Sequence, residues 1–143
     1  MTRITLEDMI ADAQRRLDRL EPEAALAAQR SGALIVDTRS DDERRRVGVI
    51  PGSVHIPLSV LEWRLDPDGD PEFHSRHVTG LDQWIVLACR QGYSSLLAAV
   101  RLQELGFHRA TDLVGGVEAW LAAGLPVHEI GGPTPDLGDP EPT

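Results

Sequence analysis

The sequence contains no lysine; all 14 of its basic residues are arginine. That absence excludes chemistry that needs an amine side chain, such as a Schiff base or the lysine of a phosphate-binding loop. We read it as a mark of genomic base composition. Cysteine is almost absent as well, since Cys89 is the single one. A lone cysteine closes no internal disulfide, and a free thiol of this kind belongs to a reducing compartment. Aromatic residues make up only 4% of the chain, so a core must be built from Leu, Val, Ile and Ala. Positive charge is outweighed: the formal net charge is −9. That balance argues against bulk nucleic-acid or membrane-surface binding, which needs clustered positive charge. No stretch approaches the roughly 20 apolar residues of a membrane span. The N-terminus alternates charge with apolar residues (Arg3, Glu7, Asp8, Asp12) and shows no signal-peptide apolar segment. The expected location is cytoplasmic.

What is present fits one domain. The 143 residues are 41% hydrophobic and 26% charged, which is ordinary for a globular chain. Thr5 to Leu20 has helical periodicity, with Leu6, Met9, Ile10, Ala13 and Leu17 on one stripe and Thr5 as N-cap. Pro22 opens a second helix to about Arg30. Ala33 to Val36 reads as a buried strand, Asp41 to Val47 as a short charged helix, and Val54 to Ile56 as a short strand. Leu58 to Leu65 is expected to be helical, and Asp66 to Asp70 a loop. Trp84 to Ala88 (WIVLA) is the strongest buried-strand signal. Ser95 to Leu105 follows as a helix stopped by Gly106, Thr111 to Val114 as a strand, and Gly115-Gly116 opens a last helix to Ala123. From Gly131 the chain is rich in Pro, Gly and acidic residues, too poor in apolar surface to order itself. Strands alternating with helices predict an α/β domain with a central parallel sheet flanked by helices.

The chemistry points to one segment. Cys89-Arg90-Gln91-Gly92-Tyr93-Ser94-Ser95 joins the Trp84 strand to the next helix. In open parallel sheets, ligands sit at the carboxyl ends of strands. The following helix offers unpaired N–H groups and a positive dipole end, and Gly92 lets several N–H groups converge on one point. An anion belongs there: a thiolate, a persulfide or a sulfonate. The same field lowers the thiol pKa, and Arg90 adds a cation.

Four segments in this order resemble the rhodanese-like family: LIVDTR at Leu34 to Arg39, GVIPGSVHIP at Gly48 to Pro57, WIVLACRQGYSS at Trp84 to Ser95, and LVGGVEAW at Leu113 to Trp120. The resemblance covers roughly Ala33 to Val127. It implies a small three-layer α/β fold and sulfurtransferase activity, in which the loop cysteine takes sulfane sulfur from thiosulfate or a persulfide and passes it to a thiol or to cyanide. It assigns Cys89 the persulfide-forming role and Arg90, Gln91, Gly92, Tyr93 and Ser94 the cradle. Ser95, at the start of the next helix, is expected as a further substrate-binding residue. Asp37 and Arg39 match a charged pair that ties loops together beside the site. Arg64 falls in a segment near the active loop and is a candidate further cation. Two departures stand out. Ser94 replaces a second Arg present in many thiosulfate-using members, and Gly48-Val49-Ile50 replaces the frequent Gly-His-Ile. The resemblance also implies small-molecule donors and acceptors, with a protein acceptor as a further option. No cofactor is expected, and no metal, since no nearby cysteine completes a set with His74 and His77.

Three divisions of the chain are expected: residues 1–32 as a helical segment of the same domain, 33–128 as the rhodanese-like core, and 129–143 as a flexible tail. The stretch before Ala33 offers a packing or dimer surface, although the pattern sets no oligomeric state. Two rival functions use the same features. A cysteine phosphatase needs His before the cysteine and Arg six residues after it, where this chain has Ala88 and Ser95. A non-catalytic binding module is the other, although its inactive relatives usually lack the cysteine. His74 and His77 read as residues of a solvated loop, Asp66 to Glu72 as an acidic connector, and Trp63, Trp84 and Trp120 as packing residues.

Overall fold

Ile85-Val86-Leu87-Ala88 has no solvent-exposed residue and forms strand β3 (Ile85–Ala88), one of two inner strands. The computed structural model describes residues 2–130, so the expected tail from Gly131 lies outside the described residues. The other strands are β1 (Leu34–Asp37), β2 (Val54–His55) and β4 (Thr111–Asp112). All pair in parallel, in the order β2-β1-β3-β4. Helices α1 (Leu6–Arg16), α2 (Pro22–Arg30), α3 (Asp41–Val47), α4 (Leu61–Leu65), α5 (Ser94–Glu104) and α6 (Gly116–Ala122) complete the fold.

Strand side chains alternate between faces, and the two cores follow that alternation. Val36, Ile85 and Leu87 pack with Ala13 and Leu17 at α1, Leu61 and Leu65 of α4, and Leu96, Ala99 and Leu102 of α5. Ile35, Val86 and Ala88 pack on the other face with Ala25 and Ala28 of α2, and Val117 and Trp120 of α6. Each fully buried Leu or Ile contributes about 1.5–3 kcal/mol relative to exposure. The three-layer expectation is met.

The N-terminus differs from its sequence pattern in one consequential way. A capping box at Thr5 and Asp8 starts α1 as expected, but the helix ends at Arg16, short of Leu20. Asp18 to Leu20 instead runs along the free edge of β4. Leu20 N–H donates to Asp112 O at 3.0 Å, and Val114 N–H donates to Leu20 O at 2.8 Å. Edge pairing satisfies backbone groups that a longer helix would have bonded internally. Between Leu58 and Leu65, a 3-10 turn (Leu58–Val60) precedes α4, so the expected single helix is split. His74 and His77 lie in a loop as expected, although both are half-buried rather than fully solvated. Trp120 is fully buried, whereas Trp63 is 62% exposed and is not a packing residue.

Candidate active site

Alternation along β3 puts residue 89 on the same face as Ile85 and Leu87, toward α5. The sulfur of Cys89 therefore meets the N-terminus of that helix, and the residue is 6% exposed. Gly92 N–H donates to Cys89 Sγ at 3.1 Å, and Cys89 Sγ lies 3.2 Å from Ser95 Oγ. The loop between them is shaped from below by α6. Val117 N–H donates to Cys89 O at 2.9 Å, and Glu118 N–H donates to Arg90 O at 3.1 Å. With those carbonyls turned toward α6, the Gly92 amide turns the other way, onto the sulfur. Gly92 adopts φ +85°, and a Cβ there would stand 2.7 Å from Gly115 N, so both the turn and the close approach require glycine.

Burial alone would push the Cys89 thiol up. The Ser95 and Ser94 side chains, with the backbone at Ser95 and Gly92, outweigh it and hold the thiol below its ordinary range. The thiolate is the reactive form of any cysteine, and these partners favour it over the thiol.

The expected loop residues are divided in their roles. Gly92 and Ser95 are buried and touch the sulfur. Ser94 is the first residue of α5, and Gln91 and Tyr93 are exposed at the rim. Arg90 is turned aside: its Nε lies 3.4 Å from Glu118 Oε1, and its side chain is 62% exposed. It lies at the rim, and among the described residues it makes no hydrogen bond to the sulfur. Asp37 and Arg39 form a buried pair with 2.7 Å between Oδ2 and Nη2. Arg39 Nη2 also donates to Gly48 O at 2.8 Å, and Arg44 Nε donates to Asp37 Oδ2 at 3.3 Å. This cluster ties β1 to α3 and the following turn. Arg64 is half-buried on α4, and among the described residues no hydrogen bond or ion pair joins it to the Cys89 loop.

Two residues that the sequence patterns do not single out lie within this site. Asp112 pairs in register with Leu87 and so shares its α5-facing side. Ser95 Oγ–H donates to Asp112 Oδ2 at 2.8 Å. Arg19, carried along β4 by the Asp18 to Leu20 edge, grips the same carboxylate at 2.7 and 3.0 Å and donates to Gly92 O at 3.0 Å. The available signal was Asp112 itself, an acid inside the apolar run Thr111 to Val114, because a buried carboxylate needs a partner. Among the described residues no group of three His, Cys, Asp or Glu side chains is gathered as a metal site, and no helix is long and apolar enough to cross a membrane.

The sequence model of the Rhodanese-like domain family matches residues 21–123. The thiosulfate sulfurtransferase GlpE of Stutzerimonas stutzeri is 36% identical over 102 residues, covering 71% of this chain and 83% of its own. The adenylyltransferase and sulfurtransferase MOCS3 of Arabidopsis thaliana is 33% identical over 96 residues, 62% of this chain, which spans only 20% of that longer protein. Among solved structures, a Rhodopseudomonas palustris protein of unknown function, described as a possible tyrosine phosphatase, superposes with TM-score 0.74 at 32% identity. That match covers 90% of this chain and 96% of the other.

Proposed function

The chain belongs to the rhodanese-like family, and from that premise we propose that it transfers sulfur, with Cys89 as the carrier. The observation that carries the reading is the sulfur of Cys89 held at the end of β3 by the Gly92 amide at 3.1 Å, beside the Ser95 hydroxyl. The sulfurtransferase relatives supply the reaction class.

In the first step the Cys89 thiolate attacks the outer sulfur of a donor. A new S–S bond forms at Cys89 while the donor's own bond to that sulfur breaks. The leaving group departs with the electron pair, as sulfite from thiosulfate or as a thiolate from a persulfide. The converging donors stabilise the anion on the cysteine persulfide. In the second step an acceptor thiolate, or cyanide, attacks the outer sulfur, and the electron pair of the broken bond returns to Cys89. Cys89 is the sole cysteine, so the acceptor comes from outside the chain. A small-molecule donor and a small thiol or protein acceptor meet that requirement, and a reducing cytoplasm would keep the thiol available. Residues 33–128 are the sulfur-handling core in this reading, with 1–32 a segment of the same domain.

Gly92, Ser94 and Ser95 act as the cradle, Arg90, Gln91 and Tyr93 line its mouth, and Asp37 and Arg39 brace it. Arg64 is left without a part. Ser94 in place of a second Arg makes a persulfide the better-suited donor, because thiosulfate carries two negative charges that an arginine would meet. The phosphatase description of the Rhodopseudomonas palustris protein raises the rival chemistry. A phosphate dianion needs an arginine at the loop's end to clamp its oxygens, and Ser95 stands there instead, while Arg19 is already committed to Asp112 and to Gly92 O. That arrangement favours sulfur transfer.

Intact-mass measurement after incubation with thiosulfate, polysulfide or a low-molecular-weight persulfide tests the assignment. The expected result is a gain of one sulfur that disappears on adding cyanide or thiol and is absent in Cys89→Ala. Absence of the adduct with every sulfane donor would overturn it.

A further inference from the structure

Five residues close a ring around the nucleophile. Cys89 meets Ser95, Ser95 donates to Asp112, Arg19 donates to both Asp112 oxygens and to Gly92 O, and the Gly92 amide returns to the Cys89 sulfur. Ser95 has one hydroxyl proton and two acceptors within reach, the sulfur at 3.2 Å and the carboxylate at 2.8 Å. We propose that Arg19 and Asp112 are positioning residues that decide, through Ser95, which of these acceptors receives that proton. The inference rests on the sulfur-carrier reading of Cys89 and adds to it a proton position for each stage of the cycle.

With Cys89 as a thiol, the S–H donates to Ser95 Oγ and the Ser95 proton goes to Asp112. When the thiolate forms, the sulfur becomes an acceptor and the Ser95 proton turns to it. Asp112 then keeps only the Arg19 fork, whose two parallel bonds leave neither carboxylate oxygen bare. Once the persulfide forms, the charge moves to the outer sulfur and the Ser95 proton returns to Asp112. Arg19 makes the turn feasible. Without it, Asp112 is a fully buried anion with Ser95 as its remaining side-chain donor, and it would keep that proton. The charge on Arg19 is itself held by its bonds to Asp112 against partial burial, with attraction to the Cys89 thiolate adding to it. Its third bond, to Gly92 O, steadies the residue whose amide reaches the sulfur.

The other charged groups on the elements around this end of β3 are accounted for. Glu21 precedes α2 and lies near Arg19. Arg90 pairs with Glu118 of α6 at the rim. Asp37, beside Ala88 in register, is paired with Arg39 and Arg44. Tyr93 is 68% exposed. None of them contacts Ser95 among the hydrogen bonds of the described residues.

The test is the pH dependence of iodoacetamide alkylation of Cys89 in the full chain, with thermal melting as a check on folding. Arg19→Gln should move the midpoint up by about one pH unit, leaving about tenfold less thiolate below it. Asp112→Asn should move it down, because the amide can donate to Ser95 Oγ and free the Ser95 proton for the sulfur. The double variant should titrate close to Asp112→Asn alone, because without the carboxylate Arg19 has no proton choice left to set, and this keeps the test intact if Arg19→Gln alone fails to fold. A double variant that titrates like the parent would mean that the two charges merely cancel, and would overturn the proposal. In a Ser95→Ala background the Asp112→Asn shift should fall to less than half. A shift that persists at half its size or more there, or unchanged midpoints in folded single variants, would overturn the proposal. Alkylation reads the thiolate alone, so failure of sulfur loading would sink the carrier reading and leave these titrations standing.

Discussion

Gly116 lies directly beneath the Cys89 peptide: a Cβ added to it would stand 2.4 Å from Cys89 O. The same Cβ would stand 2.5 Å from Arg90 O, and Gly116 adopts φ +64°. Both contacts are with backbone, which cannot rotate away. Gly116→Ala is therefore expected to push the loop off α6 and lose the amide bonds that turn Gly92 toward the sulfur. The cost is about 1–3 kcal/mol from the backbone conformation alone, with the clash added. Melting should fall by several degrees, and alkylation of Cys89 at neutral pH should slow. A variant that melts and alkylates like the parent would show that the loop does not depend on this approach.

The pH behaviour of Cys89 has a definite sign. The fold holds the thiol below its ordinary range. Between the folded and unfolded pKa the unfolded chain binds more protons, so stability rises with pH across that window and the gain is fully present above the unfolded value. As pH falls through the folded pKa the gain is lost. Denaturation of the parent and of Cys89→Ala from about pH 6 to about pH 9 should show the parent gaining on the variant as pH rises. A constant difference would mean that the cradle does not favour the thiolate.

Much of this was written in local sequence, and the rest was not for a physical reason. Trp84 to Ala88 announced the inner strand because a strand buried on both faces must be apolar throughout, and the Gly92 turn followed from a loop that must bend at its end. The Arg19–Asp112 pair spans 93 residues. It depends on β4 lying beside β3 in one register and on α1 stopping early enough for Asp18 to Leu20 to reach the sheet edge. Periodicity favoured a longer helix there, because Leu17 and Leu20 continue an apolar stripe whose backbone partners lie in another part of the chain. Trp63 misled for a similar reason: size suggested packing, while its place on the short α4 turns it outward.

Asp37 and Arg39 offer a contrast between stability and chemistry. Their side chains are 1% and 2% exposed, and Arg44 shares the carboxylate. Asp37→Ala takes its carboxylate from the buried Arg39 guanidinium and leaves Arg44 with Asp41, and should cost about 3–5 kcal/mol. Sulfur loading per folded molecule should stay near the parent value, since the cluster makes no hydrogen bond to the Cys89 sulfur. Chemical denaturation and mass-detected loading measure the two effects separately. A loading rate that collapses in a protein still folded would place this cluster in the chemistry.

Arg90 predicts the reverse pattern. Its pair with Glu118 is exposed on both sides, at 62% and 48%, where such pairs contribute about 0–1 kcal/mol. Arg90→Ala should therefore leave melting almost unchanged. An incoming anionic donor competes with Glu118 for that guanidinium at the mouth of the cradle, so the variant should require several-fold more thiosulfate for the same loading rate. Glu118→Gln should require less, because it releases Arg90 toward the donor. Both effects should shrink in about 1 M salt, where the screening length falls to about 3 Å. Equal thiosulfate dependence in the parent and both variants would remove Arg90 from donor capture and leave the neutral donors of the loop to do it alone.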